Sequence, residues 1–164
     1  MKTLLKLSLI FIIAMVIISE CNSSANKEEE EVLEKAFWSK NSQLKDKKFQ
    51  ELNLDQKQTY LNQIILSDFK PFSTIAMQIE MGLEQGLKNY IKYPETIQYK
   101  NAMGWGDFAG FVSNSIIDDI DKGVLISIGE FKSENKLGME VRSKYIIRYK
   151  IGNDTFVIDN ISIE

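Results

Sequence analysis

The chain has 164 residues, with 20 lysines and arginines against 23 aspartates and glutamates, one cysteine, two prolines and no histidine. Without an imidazole there is no Ser-His-Asp triad, no Cys-His pair and no His-ligated zinc, and a single cysteine excludes an intrachain disulfide or a thiolate cluster. A formal net charge of −3 is too small to mark a polyanion-binding surface, so nucleic acid is not an expected partner.

Lys2 and Lys6 make a short basic start, and Leu7 to Ile18 is an almost wholly apolar run that ends at once in polar residues. That is the length of a secretory signal segment, because a spanning helix needs about 20 apolar residues. A permanent anchor would have to recruit Leu4 and Leu5 and tolerate Lys6. The run closes in Ile18-Ser19-Glu20-Cys21, and here the chain resembles bacterial lipoprotein precursors, in which an aliphatic residue, a small residue and Gly, Ala or Ser precede the lipidated cysteine. Glu20 stands where that pattern has a small residue. The resemblance implies removal of residues 1–20 and attachment of lipid to Cys21. An ordinary secreted chain, cut near Ser19 and Cys21 or Ser23 and Ala25, is the alternative. A lone thiol on an exported protein otherwise has no role, which favours the lipid. Residues 21–31 are small, polar and charged, as a lipidated tether requires, and Glu28 to Glu31 also suit the first turn of a helix. Residues 32–164 are then expected to form a single domain, large enough to bury a core without disulfides.

The pattern from Glu31 to about Lys92 is helical. Val32, Leu33, Ala36, Phe37 and Trp38 cluster at helical spacing, with Trp38 read as a packing residue. Asp55 and Gln58 have the spacing of a capping box, and Tyr60, Leu61, Ile64, Ile65 and Phe69 follow on one face until Pro71 closes the helix. A third helix is expected from Ser73 or Thr74, with Ile75, Ile79, Leu83, Leu87 and Ile91 as one stripe. Gly82 and Gly86 lie beside that stripe, where they would let another element approach closely; Pro94 ends the segment.

From there the period changes to two. Met139, Val141, Tyr145, Ile147, Tyr149 and Ile151 point one way, while Glu140, Arg142, Lys144, Arg148 and Lys150 point the other. Val124 to Phe131 precedes this strand, Thr155 to Ile163 follows a turn at Gly152-Asn153-Asp154, and shorter strands are expected at Thr96 to Lys100 and near Phe108 to Val112. Helices first and strands second, with no βαβ alternation, predict an α+β fold: N-terminal helices packed on a C-terminal antiparallel meander of about four strands. Tyr93-Pro94-Glu95-Thr96 after an amphipathic helix, with Asn135-Lys136-Leu137-Gly138 leading into Val141-Arg142, also resembles small exported bacterial domains of unknown function. That resemblance implies the fold and no activity.

Two segments could carry chemistry. Asp118-Asp119-Ile120-Asp121-Lys122-Gly123 is dense in carboxylates but fails the spacing of a calcium loop, and reads as a solvated turn, so no metal is expected. Asn101 to Phe111 sets Trp105, Phe108 and Phe111 among three glycines: exposed, they would meet a partner or glycan, and buried, they would be a corner of the core. The expected function is therefore that of a membrane-anchored envelope lipoprotein, periplasmic or surface-facing, with a non-catalytic binding or scaffolding domain, no cofactor, and an envelope protein or glycan as partner. A secreted hydrolase using carboxylate or serine chemistry, or a secreted inhibitor-type module, is the alternative.

Overall fold

The computed structural model describes residues 29–152 and 155–164. They fall into two compact units, one ending at Lys45 and one spanning Asp46–Glu164. In the first unit, residues 29–40 form α1, which contains Glu29, Glu30 and Glu31. Trp38 is buried there, with Phe37 edge-on at 5.0 Å between ring centroids and the Lys45 ammonium 4.2 Å above its ring; Val32 and Leu33 stay exposed. A single turn of helix, α2 at Gln43–Asp46, crosses the boundary between the units.

The second unit carries α3 (Leu54–Leu66) and α4 (Phe72–Lys88), then six strands. α3 begins two residues earlier than the sequence spacing predicts. Asn53 is the cap: its Oδ1 accepts from the Gln56 N–H at 2.9 Å, and the Gln56 side chain accepts from the Asn53 N–H at 3.1 Å. Asp55 instead lies in the first turn, where a carboxylate favours the positive end of the helix dipole. Pro71 does not close α3. That helix ends at Leu66, with Ser67 left-handed at φ 56°, and Pro71 caps α4. α4 buries Phe72, Ala76, Ile79, Leu83 and Leu87 along one stripe, leaving Ile75 half-buried and Ile91 beyond its end.

The strands are β1 (Gln98–Asn101), β2 (Gly104–Gly106), β3 (Ser115–Asp119), β4 (Val124–Glu134), β5 (Glu140–Ile151) and β6 (Phe156–Ile163), all antiparallel. The layout is α+β, with helices followed by the sheet. Strands β4 to β6 are the expected consecutive hairpins and β1 falls at the short strand expected over Thr96 to Lys100, whereas β2 and β3 were not expected; they raise the total to six, in the order β2-β1-β4-β5-β6 with β3 paired to β4. β3 and β1 share one edge of β4, β3 along Val124 to Ser127 and β1 at Phe131 and Lys132. The strand expected near Phe108 to Val112 does not form. Gly110 turns the chain at φ 61°, which sends Phe111 and Val112 into the core. In β5 the alternation is buried from Tyr145 to Ile151, whereas Met139 and Val141 stand on a hairpin end whose residues 136–142 are all exposed.

α4 covers one face of this sheet. A Cβ at Gly82 would lie 2.1 Å from Cζ of Phe156, and one at Gly86 would lie 2.7 Å from Cδ1 of Ile158, so both glycines serve the close approach their place beside the stripe predicts. On the other helix, Lys57 is buried and donates to the Asp121 carbonyl at 2.9 Å and to its carboxylate at 2.7 Å, which fixes α3 to the turn between β3 and β4. Lys57→Met should therefore lower stability by about 1.5–3 kcal/mol, the usual worth of hydrogen bonds from a charged donor. Asp121→Asn, whose side chain is mostly exposed, should lower it by less than about 1 kcal/mol, since the backbone acceptor remains. Urea unfolding of the two variants checks the order.

Candidate functional site

Residues directly opposed on neighbouring strands share a face of the sheet. On the face away from α4, Ile116 opposes Ile126 and Ile128 opposes Ile146, so four isoleucines meet across β3, β4 and β5; Ile116 and Ile128 are exposed, the other two half-buried. Charges bound this apolar patch at both ends. At one end Arg148 pairs with Asp118 and reaches Asp159 at 3.8 Å. At the other, Lys100 pairs with Glu130 at 2.9 Å, and Lys132 and Arg142 both pair with Glu140. These pairs hold the carboxyl groups of Glu130 and Glu140 below the usual carboxylate range, chiefly through the hydrogen bonds from Lys100 and Lys132. The predicted outward row Arg142, Lys144, Arg148 and Lys150 is found on this face.

The structure separates the three aromatics. Trp105 sits half-buried in β2, opposite Lys100, with the Lys132 ammonium and the Arg142 guanidinium each 5.4 Å from its ring centre. Phe108 is exposed, and lines a cleft of about 570 Å³ with Asn101, Met103, Ser113 and Asn114. Phe111 is a correction to the exposed reading. It is fully buried, 5.5 Å from Tyr99 and 4.9 Å from Tyr145 between ring centroids, because burying that area outweighs leaving it in water. No surface therefore contains all three.

Behind the cleft lies a buried polar tier that the sequence pattern did not reveal. The Phe111 carbonyl accepts from Ser115 Oγ at 2.8 Å and from Ser127 Oγ at 2.5 Å, and Ser115 also bonds the Tyr149 hydroxyl at 2.8 Å. Burial pushes the Tyr145 and Tyr149 hydroxyls up to about 12. Tyr145 lies across Gly129, where a Cβ would meet its hydroxyl oxygen at 2.2 Å. Tyr99 is buried and, among the described residues, its hydroxyl has no hydrogen-bond partner. Glu80, on α4, accepts from the Val112 N–H at 3.3 Å; its carboxyl is raised above the ordinary range, first by burial and then by neighbouring Glu84, against the pull of that hydrogen bond. The available signal was the two serines at inward positions of strands and a glutamate beside the buried stripe of a helix, where solvated residues are the commoner finding.

Of the segment expected as a turn, Asp118 and Asp119 instead end β3, and Ile120 to Gly123 form the turn into β4. Asp119 accepts from the Lys122 backbone at 3.0 Å and from its ammonium at 2.8 Å, which lowers the Asp119 carboxyl, and Gly123 supplies φ 69°. Among the described residues no three acidic or cysteine side chains are grouped to hold a metal ion, and no helix is long and apolar enough to cross a membrane. Cys21 and the apolar run before it lie outside the described residues. No family model, no curated protein and no solved structure matches the chain.

Two tests follow from the buried tier. Tyr99→Phe removes an unpaired hydroxyl and should leave stability unchanged or raise it by up to about 1 kcal/mol, whereas Tyr149→Phe removes a bonded one and should lower it by about 1 kcal/mol. Glu80 has a raised folded value, so its ionised form destabilises the fold above that value and the penalty is relieved as pH falls through it. Glu80→Gln should accordingly be more stable than the parent at pH 7, with the difference vanishing below the ordinary carboxylate range in pH-dependent melts.

Proposed function

We propose that the chain is an exported lipoprotein of the bacterial envelope, anchored by lipid on Cys21, whose Asp46–Glu164 unit is a non-catalytic binding or scaffolding module for an envelope protein or glycan. The observation that carries the binding reading is the outer sheet face. An antiparallel sheet with one face on a helix ordinarily turns a polar face to water, and here that face holds exposed Ile116 and Ile128 between two sets of paired charges. Trp105 stands on the same face, its ring engaged by Lys132 and Arg142, so it contributes an edge and a fixed pair of cations in place of a free stacking platform. The anchoring reading is supported by Ile18-Ser19-Glu20-Cys21 directly after the apolar run.

The carboxylates argue for the same reading over a hydrolase. Asp118, Asp119, Asp121, Glu130 and Glu140 each hold a lysine or arginine, and Glu80 already accepts a backbone hydrogen bond. A glycosidase needs two carboxyls facing one another across a substrate, one of them kept protonated.

Intact mass and membrane partitioning of the expressed precursor, beside Cys21→Ala, test the proposal. The expected result is a mature chain starting at Cys21 and carrying acyl groups, with the variant unprocessed and unlipidated. A lipid-free, soluble product cut at the same other site in both proteins contradicts it and makes the protein a free secreted module.

A further inference from the structure

We propose that the free edge of β6 docks an extended peptide segment of a partner protein, uncharged and apolar at alternate positions, which joins the sheet as a further strand; this rests on reading the domain as a binding module. The sheet order ends at β6, so along its outer side the backbone N–H and C=O groups of an eight-residue strand have no strand partner among the described residues. Such an edge is a template for another extended chain, and natural edges are usually blunted by short length, lysine or proline. The opposite end of the sheet is blunted in that way, since β2 has three residues. β6 contains no lysine and no proline, and its one charge, Asp159, leans to Arg148 on its own sheet.

The side chains point to the same chemistry. On the helix side of β5, Tyr145, Ile147, Tyr149 and Ile151 are buried, but on β6 the corresponding Phe156, Ile158 and Ile161 are only half-buried and Ile163 is exposed. One more strand with apolar residues on that side would cover them. α4 stands over this edge, with Gly82 against Phe156 and Gly86 against Ile158. The helical row that contains Gly82 also contains Ile75, Gln78, Gln85 and Asn89, none of them charged, so a charged peptide would lose solvation there with no partner in return. Where α4 meets the start of β6, a cavity of about 290 Å³ is lined by Ile75, Gln78, Ile79, Ile151, Thr155 and Phe156, an apolar recess for one large side chain. Main-chain hydrogen bonds for affinity and a recess for an alternate side chain constitute recognition by strand addition. A second copy of the chain fits less well than a short peptide, because the irregularity opposite Arg148 and Tyr149 interrupts the ladder in mid-strand and would be present twice at a β6–β6 contact. A peptide can pair over Phe156 to Ile158 alone, next to the recess.

The probe is a capped eight-residue peptide of alternating leucine and threonine, with a second peptide methylated on alternate backbone nitrogens as control, added to the full chain and followed by amide hydrogen exchange. Saturation with the first should slow exchange within Phe156 to Ile158 at least tenfold, the methylated peptide should not, and Ile75→Glu or the more exposed Gln78→Glu should each weaken binding about tenfold with unchanged melting. Equal effects of the two peptides, or affinity indifferent to both substitutions, would overturn the site. Protection confined to Ile116 and Ile128 on the outer face would also overturn it while leaving the binding-module reading intact. Concentration-dependent protection of β6 without peptide, with a dimeric mass, would overturn it in favour of self-association.

Discussion

The contact of α4 with β6 at Gly82 and Gly86 sets the geometry of the whole second unit. With the Phe156 ring end-on to Gly82 and Ile158 and Ile161 against Gly86, the helix axis comes nearer the sheet than any side chain at those positions would allow. Each glycine costs a helix about 1 kcal/mol relative to alanine, and that cost is offset by the apolar area of Phe156, Ile158 and Ile161 removed from water. The close approach lets one helix stripe, Phe72 to Leu87, seal the inner side chains of β5 into one core with Phe111 and Tyr99. Among the described residues of this unit, no second layer covers the other face of the sheet or the flank of β6.

That asymmetry has chemical consequences. The inner side holds the polar tier of Ser115, Ser127, Tyr145 and Tyr149, in which the Phe111 carbonyl is satisfied twice, so the loop that fails to become a strand is nevertheless fixed by hydrogen bonds. The outer side carries isoleucines between salt bridges that the solvent screens. Such a domain, held together by packing and hydrogen bonds, is compatible with the exported location proposed for it.

The sequence made the layered organisation legible because two periods are visible in it: the stripe of α4 repeats every three or four residues and β5 alternates; Ile79, Leu83 and Leu87 of the expected stripe are buried, and so are the expected residues of β5 from Tyr145 onward. Gly82 and Gly86 were also legible, as small residues beside a buried stripe. The capping box was displaced because Asn53 and Gln56 offer the same spacing as Asp55 and Gln58, and local pattern alone does not choose between overlapping caps. The segment 108–112 was misread for a reason outside itself: Gly110 turns it and the serine hydroxyls of β3 and β4 take up its carbonyl, contacts formed with residues up to 16 positions away. Of the candidate aromatics, the sequence has all three in one segment, and only the register of β2 on β1 sends Trp105 to the outer face while the turn at Gly110 sends Phe111 into the core.

The most direct test of this account is a double-mutant cycle between Gly82 and Phe156, read by urea unfolding. Gly82→Ala adds a better helix former, yet it should destabilise the protein by about 1–3 kcal/mol because the added methyl group and the Phe156 ring compete for one space. In a Phe156→Ala background the same substitution should become neutral or stabilising, giving a coupling of at least about 1 kcal/mol. A Gly82→Ala protein about 1 kcal/mol more stable than the parent, with no coupling to Phe156, would show that α4 does not lie against β6, and the open face and edge derived from that contact would go with it.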